Sequence, residues 1–531
     1  MKYGFIIDNR KCIGCHACTT ACKSEHQVAV GVNRTWVKQV EKGVFPNTRR
    51  VFSVLRCNHC TNAPCVEICP VEALFIRDDG IVDFDKDRCI GCKSCMQACP
   101  YDALYIDPEN HTAAKCNYCA HRIDIGLEPA CVNVCPEHAI ISGDMDNPDS
   151  EISQLLGREE VTVRKAEKGT VPNLFYIDGD QASLVPSATE KSSQYFWSAQ
   201  ERGVGHYAKE AEKMAFSNPD VMETLAQSNG THGAAKSVEV LMGKPHRVYD
   251  APDKGILWGW EVSAYLVTKA IAAGVILVGL IGWFASGMPI DESISWSHLI
   301  TSFVFLIATG VLLVMDLDRP DRFLNVLFRP QAKSWLVKGG YAITLFGLGL
   351  TITAVAKWFG WTLVFQGAAM ATGVVGLIVA IYTAYLFAQA KGRDFWQSPM
   401  LPVHMLTHSI LAGAAFLALL NLSILGQVAL WPVLRWTLVV ALIISTAVLI
   451  FELTIDHPTD DAHRTVESIV YGNYRNRFWV AVVAIGIILP IFILVLSITP
   501  MMIVAASIMC LIGIIYSEHI WVEAPQKISL S

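Results

Sequence analysis

Sixteen of the chain's seventeen cysteines lie before residue 136, in four runs of four, and this arrangement leaves few folds open. The runs are Cys12, Cys15, Cys18 and Cys22; Cys57, Cys60, Cys65 and Cys69; Cys89, Cys92, Cys95 and Cys99; and Cys116, Cys119, Cys131 and Cys135. Each closes with C-x3-C, and Pro70, Pro100 and Pro136 follow three of them. Thiols this dense must be tied to one another or to metal. Disulfides are disfavoured, because the chain opens Met-Lys-Tyr-Gly-Phe-Ile-Ile-Asp, without a secretory apolar core or a twin-arginine pair. Structural zinc prefers two C-x2-C pairs split by a spacer, which a repeated run does not supply.

The spacing is that of the bacterial ferredoxin ligand run. Three close thiolates wrap one iron–sulfur cubane, and the fourth points away to the neighbouring cluster. Sixteen thiolates then call for four 4Fe-4S clusters, a one-electron wire that binds no substrate. Nineteen residues separate Cys69 from Cys89, so the second and third runs read as one two-cluster unit, inserted between the first and fourth. Residues 1–190 resemble the four-cluster electron-transfer subunit of molybdopterin oxidoreductases, of the dimethyl-sulfoxide-reductase and polysulfide-reductase type. All sixteen cysteines carry the resemblance, together with "CVNVCPEHAIISGDMDNPDS" and "VPNLFYI". It implies one cluster on Cys12, Cys15, Cys18 and Cys135, and a second on Cys116, Cys119, Cys131 and Cys22. The middle pair would use Cys57, Cys60 and Cys65 with Cys99, and Cys89, Cys92 and Cys95 with Cys69. It further implies a molybdenum or tungsten bis-pterin catalytic partner. The chain itself shows no dinucleotide fingerprint and no P-loop.

Beyond residue 255 the composition changes to long apolar runs. A membrane span needs about 20 such residues. Eight are expected, at roughly 256–285, 298–316, 335–357, 362–389, 402–424, 429–453, 478–498 and 500–521. The expected fold is α+β in two parts: a ferredoxin-like double two-cluster domain (1–190) and an eight-helix all-α transmembrane bundle in the bilayer (255–531). Residues 191–254 read as a connector, in which "WSAQERGVGHYAKEAEKMA" has helical character. Eleven Lys and Arg, among them Arg319, Arg322, Arg393 and Arg475, fall in loops on the side of the cysteine domain. Only Lys357 and Arg435 fall opposite. The positive-inside rule then puts the cysteine domain in the cytoplasm of a bacterial or archaeal cell, where thiols stay reduced. A net charge of −6 gives no reason to invoke nucleic acid.

The apolar half resembles the NrfD-like anchor of polysulfide reductase, on "LWGWEVSAYLVTKAIAAG", "MDLDRPDRFLNVLFRPQAKSWLVKGG" and "YGNYRNRFWVAVVAIGIILP". The resemblance implies a site for menaquinone or ubiquinone near the clusters. Ionisable groups inside spans point to the same end. Glu261, Tyr265 and Lys269 share one helix face, and His404 and His408 share another. With alternating topology, Glu261, Tyr265, Asp316, His404, His408, Glu452 and His519 fall toward the membrane face of the cysteine domain. Glu261, Tyr265, His404 and His408 are the candidate quinone residues. Lys269, Asp316 and Glu452 are candidates for pairing or a proton path, with Lys269 set against Glu261 or Glu452 and Asp316 against Arg319 or Arg322. Glu518 and His519 read as helix-end groups. Haem is disfavoured, because His404 and His408 lie on one face and do not clamp one iron from both sides. Two functions compete with a quinone-linked electron-transfer anchor. One is a redox-driven proton-translocating module. The other is a redox sensor, against which sixteen ligands argue.

Overall fold

The computed structural model describes residues 1–44, 47–189, 244–287, 289–496 and 498–531. The helical expectation for "WSAQERGVGHYAKEAEKMA" lies outside the described residues. The polypeptide divides into two compact units, Met1–Leu257 with Ser529–Ser531, and Trp258–Ile528.

In the first unit, strand Tyr3–Asp8 runs straight into the first cysteine run, and strand Ile140–Asp144 leaves the fourth. The two pair antiparallel, with Ile7 opposite Ile140. This pairing explains why runs far apart in sequence meet. It places Cys12 and Cys135 each five residues from one bonded pair. Leu174–Ile177 adds parallel to Tyr3–Asp8, and Val161–Thr162 closes the sheet. Phe5, Ile6 and Ile7 are all buried, as befits a central strand covered on both faces. Helix Ala17–His26 lies against Ala130–Asn133, and Pro64–Ile68 against Ser94–Ala98. The second and third runs each lead into a small hairpin, Leu74–Ile76 with Val82–Phe84 and Leu104–Ile106 with Ala113–Lys115.

Residues 244–254, read from sequence as the end of a connector, are part of this unit. His246–Tyr249 is the third strand of a sheet with Thr35–Val44 and Asn47–Arg56. Arg247 and Asp250 form a fully buried ion pair at 2.6 Å, and Asp250 also accepts from the Trp36 indole at 2.9 Å. Burying a charge is tolerated only with a partner of this kind, so the segment is fixed structure and not a spacer.

Among its described residues, the second unit contains eight helices long and apolar enough to cross a membrane: α1 Trp260–Ser286, α2 Trp296–Met315, α3 Trp335–Trp358, α4 Thr362–Gln389, α5 Leu401–Leu425, α6 Leu430–Thr454, α7 Arg477–Leu496 and α8 Pro500–Lys527. The expected number and order hold. Helix α1 is the hub, 78% buried over its most apolar window, packed against α2, α4, α5 and α8. Its crossing with α5 is backbone on backbone: a Cβ on Gly274 would sit 1.8 Å from the Ser409 carbonyl and 3.0 Å from the Gly413 Cα. Small residues at such crossings are how membrane helices gain contact. Large apolar side chains such as Leu363, Val428 and Phe492 stay 62–83% exposed, the surface that lipid covers. Helix α7 is π-helical over Arg477–Ile488, just ahead of Pro490, which has no N–H to return to the preceding turn.

Candidate functional site

Each cysteine run winds through left-handed backbone that turns its thiols inward. Gly14 and His16 do so in the first run, at φ 69° and 62°. Gly91 and Lys93 repeat the device in the third, at 70° and 59°. Cys12, Cys15, Cys18 and Cys135 line one cavity of ≈ 340 Å³. Cys69, Cys89, Cys92 and Cys95 line another of ≈ 390 Å³. The charge of Cys99 reaches Cys57, Cys60 and Cys65. Cys22 is likewise within reach of Cys116, Cys119 and Cys131. Backbone N–H groups of Ala73 and Ala139 donate to Cys69 and Cys135 Sγ at 3.2 Å each.

One side chain tests whether an anionic cluster fits here. Arg56 is fully buried, its Nη1 is 3.0 Å from Cys131 Sγ, and its guanidinium lies 4.6 Å from the Phe5 ring centre. Its Nε and Nη2 make no hydrogen bond. A buried guanidinium with two unmet donors costs several kcal/mol. Anionic sulfurs beside Cys131 supply the missing acceptors, so the residues present fit iron–sulfur clusters. Burial pulls the Arg56 pKa down, yet the thiolates of Cys131, Cys116 and Cys18 outweigh it and hold the group charged above its usual range. Arg56→Gln is therefore expected to lower the reduction potential of the adjacent cluster. A loss of about 1.4 kcal/mol corresponds to ~59 mV for one electron. An EPR-monitored redox titration reads the shift, and an unmoved potential would remove Arg56 from this role.

In the second unit, His404 and His408 stand one turn apart on α5 with ring centres 4.1 Å from each other. Glu518 of α8 meets both: Oε1 is 2.6 Å from His408 Nδ1 and 3.7 Å from His404 Nε2. Glu452 of α6 lies 3.3 Å from His404 Nδ1, and Ser398 Oγ donates to it at 3.2 Å. Ser445 Oγ is 3.4 Å from His408 Nε2. All four ionisable side chains are buried. Two carboxylates and two imidazoles out of water hold protons or a cation among them, since bare buried charge is too costly. The group borders a cavity of ≈ 340 Å³, open at its mouth, lined also by Ser445, Gly486, Gly513 and Ser517. The widened turn of α7 and the contact between Gly486 and Gly513 shape its wall.

The structure thus joins His404, His408 and Glu452, and adds Glu518. By sequence Glu518 reads as a helix-end group, because the apolar run stops near 521. Helix α8 continues through Glu523 and on to Lys527, which carries Glu518 into the interior. Its signal in the sequence is a carboxylate beside Ser517 and His519, not separable from an end cap. His519 does behave as an end group, pairing with Glu523 at 2.9 Å. Lys269 departs from expectation: it pairs with neither Glu261 nor Glu452. Its ammonium donates to Thr383 Oγ1 at 2.7 Å and the Ala380 carbonyl at 3.2 Å, and lies 4.9 Å from the Tyr382 ring centre. The cause is the packing of α4 on α1, which presents neutral acceptors first. Tyr265 is buried one turn before it on α1. Glu261 is half-buried in the first turn of α1, where a carboxylate offsets the helix dipole. Asp316 is the C-cap residue of α2, and Arg319 and Arg322 each pair with Asp321.

Comparison with known proteins adds a second line of support. The family model "Polysulphide reductase, NrfD" matches residues 251–527, and two models of a 4Fe-4S dicluster domain match 48–145 and 5–70. One subunit of the tetrathionate reductase of Salmonella typhimurium is 46% identical over 189 residues, covering 35% of this chain and 76% of that protein. A NrfC homolog of Haemophilus influenzae is 45% identical over 179 residues, covering 33% and 80%. One component of the polysulfide reductase of Wolinella succinogenes is 41% identical over 188 residues, covering 34% and 97%.

Proposed function

The protein belongs to the polysulphide reductase NrfD family, with a pair of 4Fe-4S dicluster domains on the same polypeptide, and from this we propose that it carries electrons between membrane quinone and a catalytic partner. The observation that carries the reading is the buried His404–Glu518–His408 group with Glu452 at the edge of a cavity. Quinone chemistry moves protons with its electrons, and such a group holds and passes protons. His408 would bond one quinone oxygen, and Glu518 would set its tautomer. Ser445 and Ser517 would orient the ring from the cavity wall.

In this reading the sixteen cysteines hold four 4Fe-4S clusters in the crossed partition, with Cys22, Cys69, Cys99 and Cys135 each reaching over to the paired run. Bound there, the clusters supply one-electron transfer. The protein's part is to bury them and to set their potentials through Arg56 and the N–H bonds to sulfur. The partner would be a molybdenum or tungsten bis-pterin enzyme. The relatives are parts of tetrathionate and polysulfide reductases, which supports electron flow from quinol to the partner's substrate. The eleven-to-two charge bias supports a cytoplasmic face for the cysteine domain. Photolabelling the whole protein with an azido-quinone is expected to modify peptides of α5, α6, α7 or α8. Labelling confined to other helices would overturn the site.

Lys269 favours a second reading, redox-driven proton translocation. It is a buried ammonium with no carboxylate in ion-pair contact among the described residues. Lys269→Met is expected to leave quinol turnover in detergent within about threefold and to abolish proton movement in proteoliposomes. Unchanged turnover and coupling would remove the reading.

A further inference from the structure

His404 Nε2, His408 Nδ1 and Glu518 Oε1 converge from α5 and α8. Ligand atoms from these three residues lie within 4.8 Å of one another, and all three side chains are buried. We propose that these residues form a binding site for a transition-series divalent cation of the zinc class, at the edge of the α5–α8 cavity.

The donor set carries the assignment first. Two imidazole nitrogens and one carboxylate oxygen form a combination that zinc and its neighbours accept, with the fourth position open. Distances come next. Metal–ligand bonds of about 2.0–2.2 Å in tetrahedral array put donor atoms about 3.3–3.6 Å apart. His404 Nε2 and Glu518 Oε1 are already 3.7 Å apart. His408 Nδ1 and Glu518 Oε1, at 2.6 Å, need to open by less than about 1 Å, a small rotation of the carboxylate.

Each imidazole also has a polar group beside its other nitrogen. Glu452 faces His404 Nδ1 at 3.3 Å, so Nε2 is the nitrogen turned inward. Ser445 Oγ sits 3.4 Å from His408 Nε2, leaving Nδ1 for the centre. A carboxylate or hydroxyl behind a ligating histidine is the usual support of a metal site. His404 Nε2 is buried and makes no hydrogen bond. It is an unfilled donor aimed at the proposed centre. The cavity beside His404 and His408 leaves room for one further small ligand.

The test uses the full-length protein in detergent, with clusters intact, after chelator treatment. Zinc is added alone and excess removed by gel filtration. About one zinc per polypeptide is expected to remain, with N/O scattering at about 2.0–2.1 Å by X-ray absorption. Glu518→Gln is expected to lose it. Glu452→Gln keeps all three ligands, and is expected to weaken zinc affinity 10–100-fold. No retained zinc, sulfur scattering near 2.3 Å, or undiminished affinity in either variant would overturn the site. The wild-type spectrum needs no variant to fold. Zinc is also expected to raise the KM for quinol, and this consequence alone rests on the quinone reading. Zinc retained with N/O ligation but KM unmoved would sustain the metal site and count against the quinone site.

Discussion

Glu518→Gln is expected to cut quinol-dependent electron transfer by about 10²–10⁴-fold, the range for losing a positioned proton-transfer group. The variant keeps the shape of the side chain and removes its charge. In the native protein Glu518 lies 2.6 Å from His408 and 3.7 Å from His404, both buried. An amide there can still accept a hydrogen bond from His408 but carries no charge and cannot take up its proton. The defect should fall on turnover and not on the iron–sulfur content, because Glu518 and the cysteine runs lie in separate compact units. Dithionite-reduced clusters in the variant should still pass electrons to an artificial acceptor. Turnover with quinol within about threefold of wild type would place the proton chemistry elsewhere.

Cys99→Ala is expected to remove a cluster from the neighbouring run and leave the one on its own run. Cys69, Cys89, Cys92 and Cys95 line one cavity without Cys99, and the charge of Cys99 reaches Cys57, Cys60 and Cys65 instead. The C-x3-C step explains the geometry: the short helix Ser94–Ala98 ends at Cys99 and turns the fourth thiol away from the first three. Iron should fall from about 16 to about 12 atoms per polypeptide. Cys57→Ala should erase the same EPR component, and Cys89→Ala a different one. A break in the wire should stop transfer from quinol to partner by at least ~100-fold. If Cys99→Ala and Cys89→Ala erase the same component, the crossed partition is wrong.

The sequence discloses what is local and hides what depends on distant packing. Cysteine spacing is a ligand geometry, so the four runs are readable directly. The reason the first and fourth meet is the pairing of Tyr3–Asp8 with Ile140–Asp144, which no spacing states. Span lengths follow from apolar run lengths, and the eight helices fall where the runs lie. The site residues split by the same rule. His404 and His408 are visible as an i, i+4 pair. Glu518 is not, because helix α8 outruns its apolar stretch. Lys269 is visible as a costly charge, but its partners Ala380 and Thr383 lie more than a hundred positions away and carry no charge. Arg56 sits at the end of the strand Asn47–Arg56, which begins with exposed positions and closes with buried ones, so a charged terminal residue there reads as surface.

In this reading one polypeptide joins quinone chemistry to an iron–sulfur wire. Its most direct test is to reduce the clusters of the purified full-length protein with dithionite, remove the excess anaerobically, and add a short-chain quinone. The visible and EPR signals of the clusters are then followed. The clusters are expected to be reoxidised by quinone without any partner protein, and Glu518→Gln to slow that step. Clusters that stay reduced in quinone, yet are oxidised at once by ferricyanide, would contradict it.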